Sequence, residues 1–216
     1  MFSDSKTCIF QETKLIKEKI QLNGRVESMS HKGHPYSASG AFFLDNPIRR
    51  WIQPPSELVE KLAISPNDVI VDFGCGPGYY TIELAKKAKT VVAVDFSPDM
   101  LKKAQKKAAK ARAKNIRFLQ SDGKSLQLGD SSVDMILLVT VYHEIGESES
   151  VLKEFGMVLK PEAKLIIVEV LKKGIFPGAP VQNPETLKSE IEAGKFKLDQ
   201  MLPYKSYGVF FFTKKA

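Results

Sequence analysis

VDFGCGPGYYT, from Val71 to Thr81, decides the reading of this chain. An apolar run ends in an acid, Asp72, and is followed by three alternating glycines, Gly74, Gly76 and Gly78. Glycines placed in this way supply positive φ angles and omit Cβ atoms, so a backbone can pass close to a bound molecule. The stretch predicts a ligand-binding turn between a buried strand and a helix.

Outward from this turn, short apolar runs alternate with helical patterns. VIVD precedes YYTIELAKK, TVVAVD precedes SPDMLKKAQKKAAKA, IRFLQ and VDMILLV follow, and SESVLKEFGMVL leads into KLIIVEV. Continuous β-branched runs of this length fit strands buried on both faces, and their alternation with helices predicts a parallel, doubly wound α/β sheet. After Val170 the pattern changes to a connection containing Pro and Gly, a helix from about Pro184 to Ala193, and two runs, FKLDQMLP and YGVFFFTKK. The short polar turn between those runs allows only antiparallel pairing.

The 216 residues suit one domain with a modest extension, divided here as an N-terminal segment over 1–55 and the α/β domain over 56–216. No apolar run approaches the roughly 20 residues of a membrane span, and the N-terminus lacks a signal-peptide layout, so a cytoplasmic protein is expected. Cys8 and Cys75 make no disulfide framework, and no ligand spacing suggests a metal. The net charge of +7 is concentrated between Leu101 and Arg117, which holds eight basic residues and no acid. Leu101, Ala104, Ala108 and Ala111 recur at helical spacing there. The segment therefore reads as a helix with a solvated lysine face; no aromatics interleave to favour a nucleic-acid surface.

A dinucleotide turn needs G-x-G-x-x-G, with its third glycine packing helix on strand and the pyrophosphate on the helix N-terminus. Here that position is Tyr79, and Asp72 would repel a pyrophosphate but suit a ligand with positive charge. Asp95, at the end of the second strand, stands where an acid accepts from both ribose hydroxyls. Phe96 follows, suited to an adenine face, and Asp122 with Gly123 after the third strand suits the adenine amino group. A cationic nucleoside along the carboxyl edge of the sheet satisfies all of these.

This constellation, with the terminal antiparallel pair, resembles the class I S-adenosylmethionine-dependent methyltransferases, from about Glu57 to Lys215. The resemblance implies a Rossmann-like, mostly parallel seven-stranded sheet and S-adenosyl-L-methionine as cofactor. It implies that Asp72 through Gly78, Cys75 included, hold the methionine part, that Asp95 holds the ribose, and that Asp122 and Gly123 hold the adenine. Thr140, after the fourth strand, is then expected beside donor and acceptor. Small-molecule members carry an apolar-His pair at this place, and Tyr142-His143-Glu144 is similar, which makes His143 the leading candidate base, with Tyr142 beside it.

Before the core, His31, His34, Tyr36, Phe42, Phe43, Arg49, Arg50 and Trp51 suit a lid over an acceptor pocket. The fourth strand lacks the N-P-P-Y or D-P-P-Y tetrapeptide of enzymes that methylate planar amino groups, and lacks the Pro-Cys pair for attack on cytosine. A small-molecule acceptor is therefore expected, within the broad ubiquinone/menaquinone-biosynthesis-like group. Methylation of protein lysine or RNA, and a donor-binding regulator without turnover, are the alternatives.

Overall fold

The computed structural model describes residues 54–172 and 180–215. His31 to Trp51 and Cys8, singled out above, lie outside the described residues. The elements run α1 (Pro55–Glu60), β1 (Val69–Phe73), α2 (Thr81–Ala85), β2 (Thr90–Asp95), α3 (Pro98–Lys110), β3 (Ile116–Gln120) and β4 (Val133–Val139). A 3-10 turn (Tyr142–Glu144) follows, then α4 (Ser148–Val158), β5 (Leu159–Val170), α5 (Pro184–Ala193), β6 (Phe196–Tyr204) and β7 (Tyr207–Lys214).

The seven strands form one sheet in the order β3-β2-β1-β4-β5-β7-β6. Strands β1 to β5 are parallel, and β7 lies antiparallel between β5 and β6. Alternate residues of each inner strand face opposite cores. Val71, Val92, Ile136 and Ile167 pack with Leu152 and Phe155 of α4 and Ile191 of α5, whereas Ile70, Val91, Leu137 and Ile166 pack with α1 and α2. Strand β7 is lined by aromatics on both faces because it is interior: Phe210 and Phe212 join the first core and Phe211 the second. The edge strand β6 carries Pro203, whose missing N–H is tolerated there.

Two sequence expectations change in detail. Helix α2 is only five residues long, because Lys86 to Ala88 tighten into turns on Glu83 and Leu84. On α3 the buried face is Met100, Leu101, Ala104 and Ala108; Ala111 is exposed at the C-cap, where Arg112 turns the chain at φ +56°. Ser97 caps the N-terminus of α3 by accepting from the Met100 amide, and Lys102, Lys103, Lys106 and Lys110 lie on the exposed side.

Register sets the functional edge. Phe73 aligns with Val94 and Leu138, Asp95 with Gln120, and Val139 with Val168. The carboxyl ends of β1 to β4 therefore finish within about a residue of one another, and β5 runs two residues further, to Val170. The strand order reverses between β1 and β4, the place where open α/β sheets leave a crevice.

Candidate active site

The glycine turn is stitched to the end of β2. The Cys75 amide donates to the Val94 carbonyl (2.9 Å) and the Gly76 amide to Asp95 Oδ2 (2.7 Å), while Asp95 Oδ1 accepts from the Ser97 amide (2.8 Å). The turn's glycines serve two purposes. A Cβ on Gly74 would stand 2.5 Å from Val141 Cγ2, and one on Gly78 3.1 Å from Ala104 of α3, so these two permit close packing. At Gly76, φ is +52° and nothing lies within 4 Å of the Cβ position, so open room remains above the backbone. The Cys75 side chain points away into a small core with Ala93 and Leu101, and burial pushes its thiol well above the ordinary value. Its thiol also donates to the Gly76 carbonyl at 3.5 Å, on the turn itself.

Asp72 is buried beneath this turn and accepts a hydrogen bond from Thr81 Oγ1 at 2.6 Å. Burial raises its carboxyl to about 7; the Thr81 hydroxyl opposes the rise and the charge of Asp95 adds to it. Asp95 is also raised by burial, against the pull of its two backbone donors. A cationic group entering here would relieve both.

Phe96 is 58% exposed at the end of β2, a large apolar face without cover among the described residues. Opposite it, Asp122 is exposed and folds its own loop, Oδ1 accepting from the Lys124 amide at 3.1 Å. Gly123 has φ +90°, and a Cβ there would stand 2.6 Å from the Phe73 ring. Glu154 of α4, buried, fixes the far side of this loop by accepting from the Leu126 amide at 2.6 Å. Thr81 and Glu154 are supporting residues that the sequence reading passed over.

Beyond β4 the character changes. Thr140 adopts φ +55°, which a β-branched residue rarely does, and its amide donates to the Val168 carbonyl at 2.8 Å. Tyr142 turns inward into the core with Val151 and Phe155, and burial pushes its phenol up to about 12. It stays protonated and packs; it does not face the crevice as a base. His143 Nδ1 lies 3.0 Å from Oε2 of Glu169, and its Nε2 lies 3.8 Å from Oε1 of Glu144. Glu169 is fully buried on β5, and the sequence reading did not single it out. Its signal was present: one acid inside the apolar run LIIVEVL.

The site thus has open room over Gly76, an uncovered aromatic at Phe96, and the acids Asp72 and Asp95 with burial-raised carboxyls. These features fit a nucleoside bearing positive charge. Sheet order, glycine turn and strand-end acids together define a class I S-adenosylmethionine-dependent methyltransferase fold. Over residues 64–206 the chain matches the family described as methyltransferase domain, and it belongs to that family.

It is 27% identical over 142 residues to an arsenite methyltransferase of Halobacterium salinarum, covering 64% of this chain and 36% of that protein. It is 34% identical over 114 residues to a demethylmenaquinone methyltransferase of Lactobacillus johnsonii, covering 51% of this chain and 47% of that one. The matched stretch spans less than half the length of each relative. A solved S-adenosylmethionine-dependent methyltransferase from Aquifex aeolicus shares the fold, with TM-score 0.75 at 24% identity, covering 83% of this chain and 98% of that one.

Proposed function

We propose that this protein transfers a methyl group from S-adenosyl-L-methionine to a small molecule, with His143 as the base. The observation that carries this reading is the His143–Glu169 contact of 3.0 Å at the same sheet edge as the glycine turn. Asp72 and the turn from Gly74 to Gly78 hold the methionine part. Asp95 takes the ribose, Phe96 covers the adenine face, and Asp122 with Gly123 meets its edge. Thr140 borders the space where donor and acceptor meet. When bound, the donor supplies an electrophilic methyl carbon whose bond to sulfur breaks, with the electron pair kept by sulfur, as the acceptor's lone pair forms the new bond.

The chain's own residues must align the acceptor, exclude water and receive the displaced proton. Asp72, Asp95, Glu144 and Glu169 surround this edge, and Lys124 on the neighbouring loop is engaged by Glu147 at 2.7 Å. An edge of this sign disfavours an acceptor that is already an anion in bulk water. The acceptor therefore arrives neutral, as a hydroxyl, thiol or carbon acid, and gives its proton to His143 in the site.

Calorimetric titration with S-adenosylmethionine and with its demethylated product tests the donor half; absence of binding by both removes the reading. Transfer of labelled methyl from the donor tests the rest. Label in small molecules supports it, label in RNA with a steep salt dependence replaces the small-molecule acceptor with RNA, and binding without any transfer marks a regulator.

A further inference from the structure

Glu169 is an expensive residue to keep. It is 0% exposed, one residue before the end of β5, where Ile167 and Val168 ahead of it are equally buried. Its Oε2 meets His143 Nδ1 at 3.0 Å, and its Oε1 has no hydrogen-bond partner among the described residues. A buried carboxylate with one satisfied oxygen destabilises a fold relative to an apolar side chain of similar volume. Glu154, the comparable acid on α4, is explained by the loop amide it fixes. Folding offers Glu169 no such explanation.

What Glu169 does hold is one imidazole. The His143 side chain is only 9% exposed, so its ring has little freedom to turn away. A carboxylate facing Nδ1 accepts the proton carried there, and the other ring nitrogen is left with its lone pair. That nitrogen, Nε2, lies on the side of Glu144. The turn that carries both His143 and Glu144 follows directly on the carboxyl end of β4, which pairs with β1 below the glycine turn.

We propose that Glu169 is the positioning residue for His143, holding the Nδ1–H so that Nε2 is the ring atom that takes a proton at the transfer edge. Its catalytic meaning rests on the reading of His143 as base. Glu169 acts from β5, Glu144 from the same turn, and Asp95 from β2. Burial pulls the imidazole down, but the hydrogen bond and charge of Glu169 and the charge of Glu144 outweigh it and hold the ring above its ordinary 6.5. A base of this kind is stronger than a free histidine and is also oriented.

Nitrogen-15 NMR of histidine-labelled full-length protein tests the assignment without a known acceptor, with His143→Gln identifying the resonances among the three histidines. In the parent, neutral His143 is expected as the Nδ1–H tautomer with a titration midpoint above that of free histidine. Glu169→Gln should keep that tautomer, since an amide oxygen still accepts, but shift the midpoint downward. Glu169→Ala should lose the tautomer preference toward Nε2–H. An Nε2–H tautomer in the parent overturns the proposal, and so does an unmoved midpoint in Glu169→Gln. The parent measurement stands even where a variant fails to fold. Calorimetry with S-adenosylhomocysteine on the same samples separates the two readings. Failure to bind removes the donor assignment and leaves the ring assignment intact, whereas binding with the wrong tautomer removes Glu169 alone.

Discussion

The two halves of the crevice are built by different means. On the β1–β2–β3 side the site is largely backbone: a glycine turn tied to the end of β2, with Asp95 accepting from the Gly76 and Ser97 amides. On the β4–β5 side it is side chain: His143 from a 3-10 turn meets Glu169, which is 26 residues further along the chain. A backbone site demands particular residue types at fixed local spacing and so leaves a motif. A side-chain site assembled across two strands demands only that two residues meet, and leaves none.

If that division is right, the largest single effect should fall on the side-chain half and appear in turnover alone. His143→Ala is expected to lower the methyl-transfer rate by roughly 10²- to 10⁴-fold, with the calorimetric affinity for S-adenosylhomocysteine preserved. Equal loss of affinity would place His143 in the donor half and erase the distinction. Asp95→Ala should do the reverse. Loss of its charge-assisted hydrogen bonds, and of the anchor for Gly76, should weaken donor-product affinity on the order of 100-fold, or about 3 kcal/mol.

A smaller effect should reveal the packing role of Gly74. Adding a Cβ at φ +69°, 2.5 Å from Val141 Cγ2, should cost about 2 kcal/mol in a thermal melt. Val141→Ala in the same chain should recover part of that loss, and full additivity of the two changes would count against the contact.

The smallest effect is one of pH. The Asp72 carboxyl in the folded protein sits at about 7, above its unfolded value of 3.8, so the folded state holds this proton more tightly. Its contribution to stability is present below about pH 4 and is lost as pH rises to about 7. Asp72→Asn should therefore melt with the parent in acid and above it at pH 8. The gain should be about 1 kcal/mol, since the new amide brings its own unmet hydrogen bonds. Affinity for a donor carrying an ammonium group should run the other way, rising with pH through about 7 in the parent and becoming flat in Asp72→Asn. Coincident melting curves at every pH would show that the Asp72 carboxyl titrates in the folded state as it does in the unfolded chain.

The same division explains what the sequence made legible. The inner strands lie where their apolar runs predict, because strands buried on both faces need unbroken apolar stretches, although β5 begins earlier, at Leu159. The positions of Asp95 at a strand end and of Gly123 at positive φ were readable because both constrain residue type. Thr81 and Glu154 were missed because a hydroxyl or an acid inside a helix is common, and only the fold reveals that each faces one particular loop. Tyr142 was drawn toward chemistry by its neighbour His143. In a 3-10 turn, however, adjacent side chains diverge, and the tyrosine turns into the core. Glu169 was the most informative omission: charge in the interior of an apolar run is a local inconsistency, and such inconsistencies gather where a protein does something other than fold.

The contact between Gly74 and Val141 also joins the two halves. Val141 stands two residues before His143, and its methyl groups occupy the volume that a side chain on Gly74 would need. Neither loop can shift toward the other without the other yielding. On the proposed reading, in which donor and acceptor fill the two halves, filling one is expected to alter the free energy of filling the second, and by thermodynamic reciprocity the influence is equal in both directions. The expected signature is reciprocal: saturating S-adenosylhomocysteine should change the affinity for the acceptor, and the acceptor should change the affinity for S-adenosylhomocysteine by the same factor. The degree of interdependence should shrink when Val141 is cut back to alanine.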